Sequence, residues 1–108
     1  MVSETEESAG LGRFSEAALL ILISLAGGPK HGYAMMEDIT AFAGVRLGPG
    51  TLYGALTRLE TRGYVEALPM ADRRRPYRLT AAGAAYLHTK LAGLDACVAT
   101  GRKRLAAS

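Results

Sequence analysis

Glycine and proline punctuate the first 63 residues of this 108-residue chain and divide them into short segments. An apolar run, Ala17–Ala26, is followed by Gly27–Pro29, where two glycines and a proline end a helix for backbone reasons alone. Ser15 precedes the run as a candidate N-cap. The run is also too short to cross a bilayer, which needs ~20 apolar residues. We therefore expect a buried helix and no membrane partner.

A second helix is predicted over His31–Phe42, ending at Gly44. Apolar residues recur in this segment at three- and four-residue spacing, which places them on one helical face. That face consists of Tyr33, Met36, Ile39 and Ala43, and we expect Tyr33 to lie in the core. The next three residues, Val45–Leu47, are partly β-branched and are predicted to form a brief strand.

A third helix is predicted to begin at Pro49, because proline at the first helical position loses no hydrogen bond. Gly63 is expected to end it in a left-handed conformation. The inner stripe repeats with helical periodicity and consists of Leu52, Ala55, Leu56 and Leu59. This helix is the strongest of the predicted elements.

A β-hairpin and a long helix are predicted to complete the chain. The hairpin strands cover about Tyr64–Pro69 and Pro76–Leu79, with a charged tip at residues 71–75 between them. Tyr77 and Leu79 should face inward. Thr80 is then predicted to cap a helix that runs to about residue 105.

Charge is distributed unevenly along the sequence. Residues 1–45 contain two basic and six acidic residues, whereas residues 46–108 contain eleven basic and four acidic residues. A basic half attracts polyanions. The single cysteine excludes an internal disulfide, and its use suits a reducing compartment, so we expect a cytoplasmic protein. No metal-ligand spacing, catalytic triad or phosphate loop is present, which argues against an enzyme and against a cofactor.

Three motifs, in order and at fixed spacing, resemble the PadR family of transcriptional regulators. They are GPKHGY at residues 28–33, LGPGTLYGALTRLE at residues 47–60 and RRPYRLTAAG at residues 74–83. The resemblance runs from about Ala18 to Leu105. It implies a mainly α, α+β fold: a winged helix-turn-helix with a long C-terminal dimerisation helix. The expected divisions are a tail at residues 1–13, a DNA-binding domain at 14–79 and a dimerisation helix at 80–108.

The resemblance implies that the third helix enters a DNA major groove and that the hairpin is a wing on the backbone or in the minor groove. Small or hydroxyl-bearing residues face outward on the helix, and Arg58 lies on its flank. Lys30 and His31 are candidate phosphate contacts. The predicted DNA-binding residues are Lys30, His31, Gly50, Thr51, Tyr53, Gly54, Thr57, Arg58, Arg73, Arg74 and Arg75.

The last helix contains apolar or small residues spaced alternately by three and four, as in a coiled-coil seam. A homodimer is therefore expected, with the first helix, including Ile21 and Ser24, as the second surface. The predicted interface residues are Leu20, Ile23, Leu87, Leu91, Leu94, Val98 and Leu105. Packing of this helix only against its own domain is the alternative. A small hydrophobic effector between subunits is a further candidate partner.

The leading hypothesis is a homodimeric repressor that binds double-stranded DNA at a palindromic operator. The alternative is a winged-helix module that binds other proteins and has no affinity for DNA. The outward hydroxyl groups and the triple arginine at Arg73–Arg75 favour the first hypothesis, DNA binding.

Overall fold

The computed structural model describes residues 16–108; the predicted tail and the Ser15 cap lie outside them. This part of the chain contains four helices and three short strands. In order, they are α1 (16–26), β1 (Lys30–His31), α2 (Gly32–Ala43), α3 (Pro49–Thr61), β2 (Val65–Ala67), β3 (Pro76–Leu79) and α4 (Ala81–Ala107).

Helix α3 has the boundaries and the inner face that the sequence predicts. It begins at Pro49, after an extended Gly48, and its whole predicted stripe is buried. Gly63 follows the helix with a φ of 78°, in the left-handed region that glycine enters without a steric penalty. The chain can therefore reverse directly from α3 into β2.

Helix α2 is rotated relative to its predicted orientation. Its buried residues are Gly32, Met35 and Ile39, whereas Tyr33 is 59% exposed. A side chain at Gly32 would collide with the ring of Tyr53, so the two helices meet there at the closest approach that a glycine allows. This contact fixes which side of α2 faces inward, and the prediction that Tyr33 lies in the core is wrong.

Helix α1 supplies much of the core. Ile21 and Leu22 are fully buried, and the buried Ser24 donates its hydroxyl hydrogen to Asp38 of α2 over 2.7 Å. Leu20 is also buried within its own chain, and Ile23 is half-buried. Of these predicted dimer contacts, Ile23 thus keeps more of its side chain accessible to a partner than Leu20 does.

The three strands form one antiparallel sheet with β3 in the middle, in the order β1-β3-β2. The first strand is Lys30–His31, which pairs with Pro76 and Tyr77. Residues 45–47 are irregular, so the strand predicted there is wrong. Because Lys30–His31 occupies the free edge of β3, Val45–Leu47 instead links α2 to α3 and buries Leu47 in the core.

The buried residues of helix α4, Gly83 and Leu87, lie in its first two turns. Thr80 caps it by accepting from the Gly83 amide, and Gly83 lies so close to the Tyr64 carbonyl that no larger residue fits. Tyr64 and Tyr86 stack with ring centroids 4.4 Å apart. Every residue after Leu87 is exposed. At 1.5 Å per residue, this helix of 27 residues is about 40 Å long, and most of it extends beyond the core.

The arrangement is a winged helix-turn-helix: α1, α2 and α3 form the helical core, and the β2–β3 hairpin forms the wing. The expected mainly helical, α+β class is confirmed. Within residues 16–108, no helix combines the length and the apolar character needed to cross a membrane.

Candidate nucleic-acid interface

The outward face of α3 is lined by small residues. Gly50, Gly54, Thr57 and Thr61 lie opposite the buried stripe and are exposed. Outside the neighbouring backbone of α3 itself, a methyl group built on either glycine would meet no atom within 4 Å. The face is therefore flat and open, and another molecule can approach the helix backbone closely.

The two threonines on this face already use their hydroxyl hydrogens. Thr57 donates to the Tyr53 carbonyl and Thr61 to the Thr57 carbonyl, each over 2.9 Å. A hydroxyl oxygen that has donated its hydrogen still has lone pairs. These side chains thus present an acceptor oxygen and a methyl group to whatever lies against α3.

The flanks of α3 differ in character. Tyr53 is 47% exposed, and its hydroxyl lies at Gly32, on the side of the wing. Thr51 and Arg58 lie on the other flank by helical periodicity. Arg58 lines a cavity of about 500 Å³ between α1, α3 and α4, together with Arg62, Tyr86 and Lys90.

The wing ends in a two-residue turn in an unusual conformation. Asp72 and Arg73 have φ values of 49° and 64°, and Ala71 and Arg74 exchange two backbone hydrogen bonds of 2.9 Å. This is a type I′ turn, whose central positions favour Asn-Gly or Gly-Gly sequences. A left-handed conformation costs a residue such as arginine roughly 1–2 kcal/mol. The chain therefore keeps an arginine at the tip at the expense of stability.

The three wing arginines have different partners. Arg74 Nη1 lies 3.0 Å from His31 Nε2, and Arg75 donates to the Leu68 carbonyl over 2.8 Å. Arg73 has no hydrogen-bond or ion-pair partner within residues 16–108. Sequence reasoning assigned the three arginines one role, whereas among residues 16–108 the fold leaves only Arg73 of the three without a partner.

Lys30 and His31 form β1, beside the wing. The Lys30 ammonium donates to the carbonyls of Ser24 and Gly28, so it caps the end of α1. His31 is the N-cap residue of α2, and its Nδ1 lies 3.3 Å from the Ala34 amide nitrogen. Both predicted phosphate contacts therefore have structural roles in the described part of the chain.

The wing strand β3 packs toward helix α3. Tyr77 and Leu79 are half-buried and Arg78 is exposed, as the alternation predicts. Burial, and next the negative charge of Glu60 on α3, raise the pKa of the Tyr77 phenol. That hydroxyl is therefore neutral and able to donate. Arg78 pairs across the strands with Glu66 at 3.1 Å, an exposed ion pair that contributes little to stability.

The structure thus connects α3, the start of α2 and the wing tip by direct contacts: Tyr53 to Gly32, and His31 to Arg74. Sequence reasoning missed the cavity beside Arg58, because its lining comes from three separate helices. It also missed Met70, which is 55% exposed near the wing tip. An isolated methionine in a loop has no periodicity that could mark it.

Comparison with known proteins places this geometry in a family. A model of the transcriptional regulator PadR-like family matches residues 21–89. An uncharacterized 37.1 kDa protein in transposon Tn4556 of Streptomyces fradiae is 51% identical over 71 residues; the match covers 66% of this chain but only 21% of that protein. The chain therefore corresponds to about one fifth of that relative.

Solved structures of other proteins superimpose on most of this chain. A transcriptional regulator from Clostridium thermocellum superimposes with a TM-score of 0.73 and 27% identity, covering 82% of this chain and 89% of that one. A PadR family transcription regulator from Clostridium difficile has a TM-score of 0.75 and 22% identity, with 82% and 97% covered, and shows the shared fold. The chain belongs to the PadR-like family of transcriptional regulators, which are DNA-binding regulators and not enzymes.

Proposed function

We propose that this chain is a sequence-specific, homodimeric repressor that binds a palindromic operator in the cytoplasm. One observation carries the proposal: the open face of α3 and the strained Arg73 tip belong to a single surface connected through Gly32 and His31. A helix with a flat outer face can enter the major groove, while an arginine on the wing suits the narrow minor groove beside it.

The proposed repressor mode is supported by two separate surfaces in the described residues, one suited to DNA and one suited to pairing. Helix α3 and the wing serve DNA reading, and the exposed part of α4 serves pairing. A dimer built this way acts by occupying its site. Its two reading helices would meet two half-sites, so the symmetry of the operator would mirror that of the protein.

Selection of duplexes from a random-sequence library tests the function directly. We expect a palindromic consensus, bound with an affinity that falls steeply as salt rises because phosphate contacts release counterions. Fluorescence anisotropy over a salt series gives both the affinity and the slope. Recovery of no consensus at low salt would contradict DNA reading and favour the protein-interaction alternative.

Gly54→Ala tests whether the α3 backbone approaches DNA. Because Gly54 lies inside a helix with open space around it, alanine should raise the free energy of unfolding by about 0.5–1 kcal/mol. The added methyl group should nevertheless weaken binding to the selected duplex by separating the backbone from the bases. Thermal denaturation and anisotropy measure the two effects.

Gly93→Ala is the matched control for this substitution. Gly93 is also helical and open, but it lies on α4, away from the reading face. It should stabilise the protein to a similar extent with unchanged DNA affinity. Full binding by Gly54→Ala would show that DNA does not reach this part of α3.

Arg73→Gly separates stability from binding at the wing. Glycine relieves the left-handed strain, so the unfolding free energy should rise by about 1 kcal/mol. Loss of the unengaged cation should weaken binding to most duplexes alike and reduce the salt slope by about one. Arg73→Lys, which retains both charge and strain, should keep most of the affinity. An unchanged salt slope in Arg73→Gly would place the tip away from DNA.

The homodimer rests on the exposed seam of α4. The exposed fractions are 38% for Leu91, 46% for Leu94, 51% for Val98 and 78% for Leu105, so packing within one chain leaves this stripe uncovered. Leu87 is already buried against its own domain. A second copy of α4, with the accessible part of α1, would bury the stripe.

Leu91→Glu should yield monomers by sedimentation or light scattering, because it places a charge in the apolar seam. Affinity for the palindromic duplex should fall as well, since half of the contacts are lost. Ala96→Glu adds the same charge on the opposite side of α4 and should remain dimeric. A dimeric Leu91→Glu would place the interface elsewhere.

The cavity beside α3 changes the chemistry that we expect of an effector. Its volume of about 500 Å³ suits a small molecule. The basic Arg58, Arg62 and Lys90 line it together with Glu16, Tyr86 and the apolar Ala18, Leu19 and Leu94. Lys90 lies 5.5 Å from the centre of the Tyr86 ring. This mixed lining suits a compound that combines apolar surface with polar or charged groups, rather than the purely hydrophobic one expected from the sequence.

A further inference from the structure

His31 lies between two hydrogen-bond donors. Its Nδ1 faces the Ala34 amide at 3.3 Å, and its Nε2 faces Arg74 Nη1 at 3.0 Å. The ring borders a cavity of about 310 Å³, whose other lining residues are Ala71, Asp72, Arg74 and Pro76. The imidazole thus bridges the first turn of α2 and the wing tip.

One imidazole cannot satisfy both donors at once. A neutral ring has one nitrogen with a lone pair and one N–H, whereas guanidinium and amide groups only donate. Accepting from Arg74 requires the proton on Nδ1, which leaves the Ala34 amide without its cap. Capping Ala34 requires the proton on Nε2, which turns a donor toward Arg74. The protonated ring, with two N–H groups, can accept from neither.

We propose that His31 is a tautomeric relay that couples DNA binding by the wing to the capping of α2. In the free protein, Nε2 accepts from Arg74 and holds the wing tip against β1. In the complex, a DNA phosphate takes Arg74. The proton on Nδ1 is then released to water while Nε2 gains one from water, and Nδ1 caps Ala34. No net proton is taken up. This inference rests on the proposed function.

Electrostatics favours this exchange in both states. In the free protein, a charge-assisted bond from Arg74 is stronger than a bond from a neutral amide. A phosphate is a better partner for guanidinium than imidazole is, because it is charged and accepts two bonds. Among the charged neighbours, Lys30 is held by carbonyls, whereas Asp72 and Arg73 belong to the wing turn itself. The amide of Ala34 gains its acceptor when Arg74 leaves.

Nitrogen NMR of the full chain at neutral pH identifies the tautomer of His31 in the absence of DNA. The ring signals of His31 should show the proton on Nδ1 in the wild type and on Nε2 in Arg74→Met, which removes the donor but keeps the length. His88 is the internal reference, identified with His88→Gln. A wild-type ring already protonated on Nε2, or an unchanged tautomer in Arg74→Met, would overturn the relay even if DNA binding is established.

Hydrogen exchange of the Ala34 amide measures whether His31 caps α2. In the free wild type, this amide should exchange about fivefold faster than in His31→Asn, whose side chain can cap α2 permanently. Binding of the selected duplex should slow exchange in the wild type to the level of the variant and move the His31 proton to Nε2. Equal exchange rates in the free wild type, in His31→Asn and in the wild-type complex would overturn the relay. A wild type that selects no duplex refutes the proposed function alone, since the tautomer of the free protein is still measured.

Discussion

Pairing of β3 with two partners is the constraint on which the rest of the structure depends. One edge of β3 pairs with β2 in the hairpin, and the opposite edge pairs with Lys30–His31, the two residues that precede α2. Because Lys30–His31 is continuous with α2, the wing cannot shift without carrying the start of that helix. The contact of Gly32 with Tyr53 then extends the same constraint to α3. These contacts therefore hold helix α3 and the wing in fixed relative positions.

Sequence reasoning succeeded where one residue type decides the local conformation. Proline at Pro49 and glycine at Gly63 fix the ends of α3, and the stripe between them repeats over about two turns. The alternation of Tyr77 and Arg78 likewise suffices for β3. In each case the backbone preference and the hydrophobic pattern agree, and tertiary packing has nothing to override.

The errors arose where tertiary contacts decide. A strand of two residues, such as Lys30–His31, has no periodicity to detect, and Val45–Leu47 had better local propensity but no edge to pair with. The orientation of α2 depends on one close contact at Gly32, which shifts the inner face away from Tyr33. The contacts of the wing arginines likewise depend on residues outside the turn and on the geometry of the turn. Adjacent identical side chains therefore acquire different roles.

The threonines of α3 have a consequence for what a DNA site would have to offer. Thr57 and Thr61 have given their hydroxyl hydrogens to the helix, so they cannot donate to the N7 or O6 atoms of guanine. Toward the major groove they present lone pairs and methyl groups, which match the exocyclic amines of adenine and cytosine and the methyl group of thymine. In the proposed complex, these residues would face adenine, cytosine or thymine, and guanine would be recognised elsewhere on the surface.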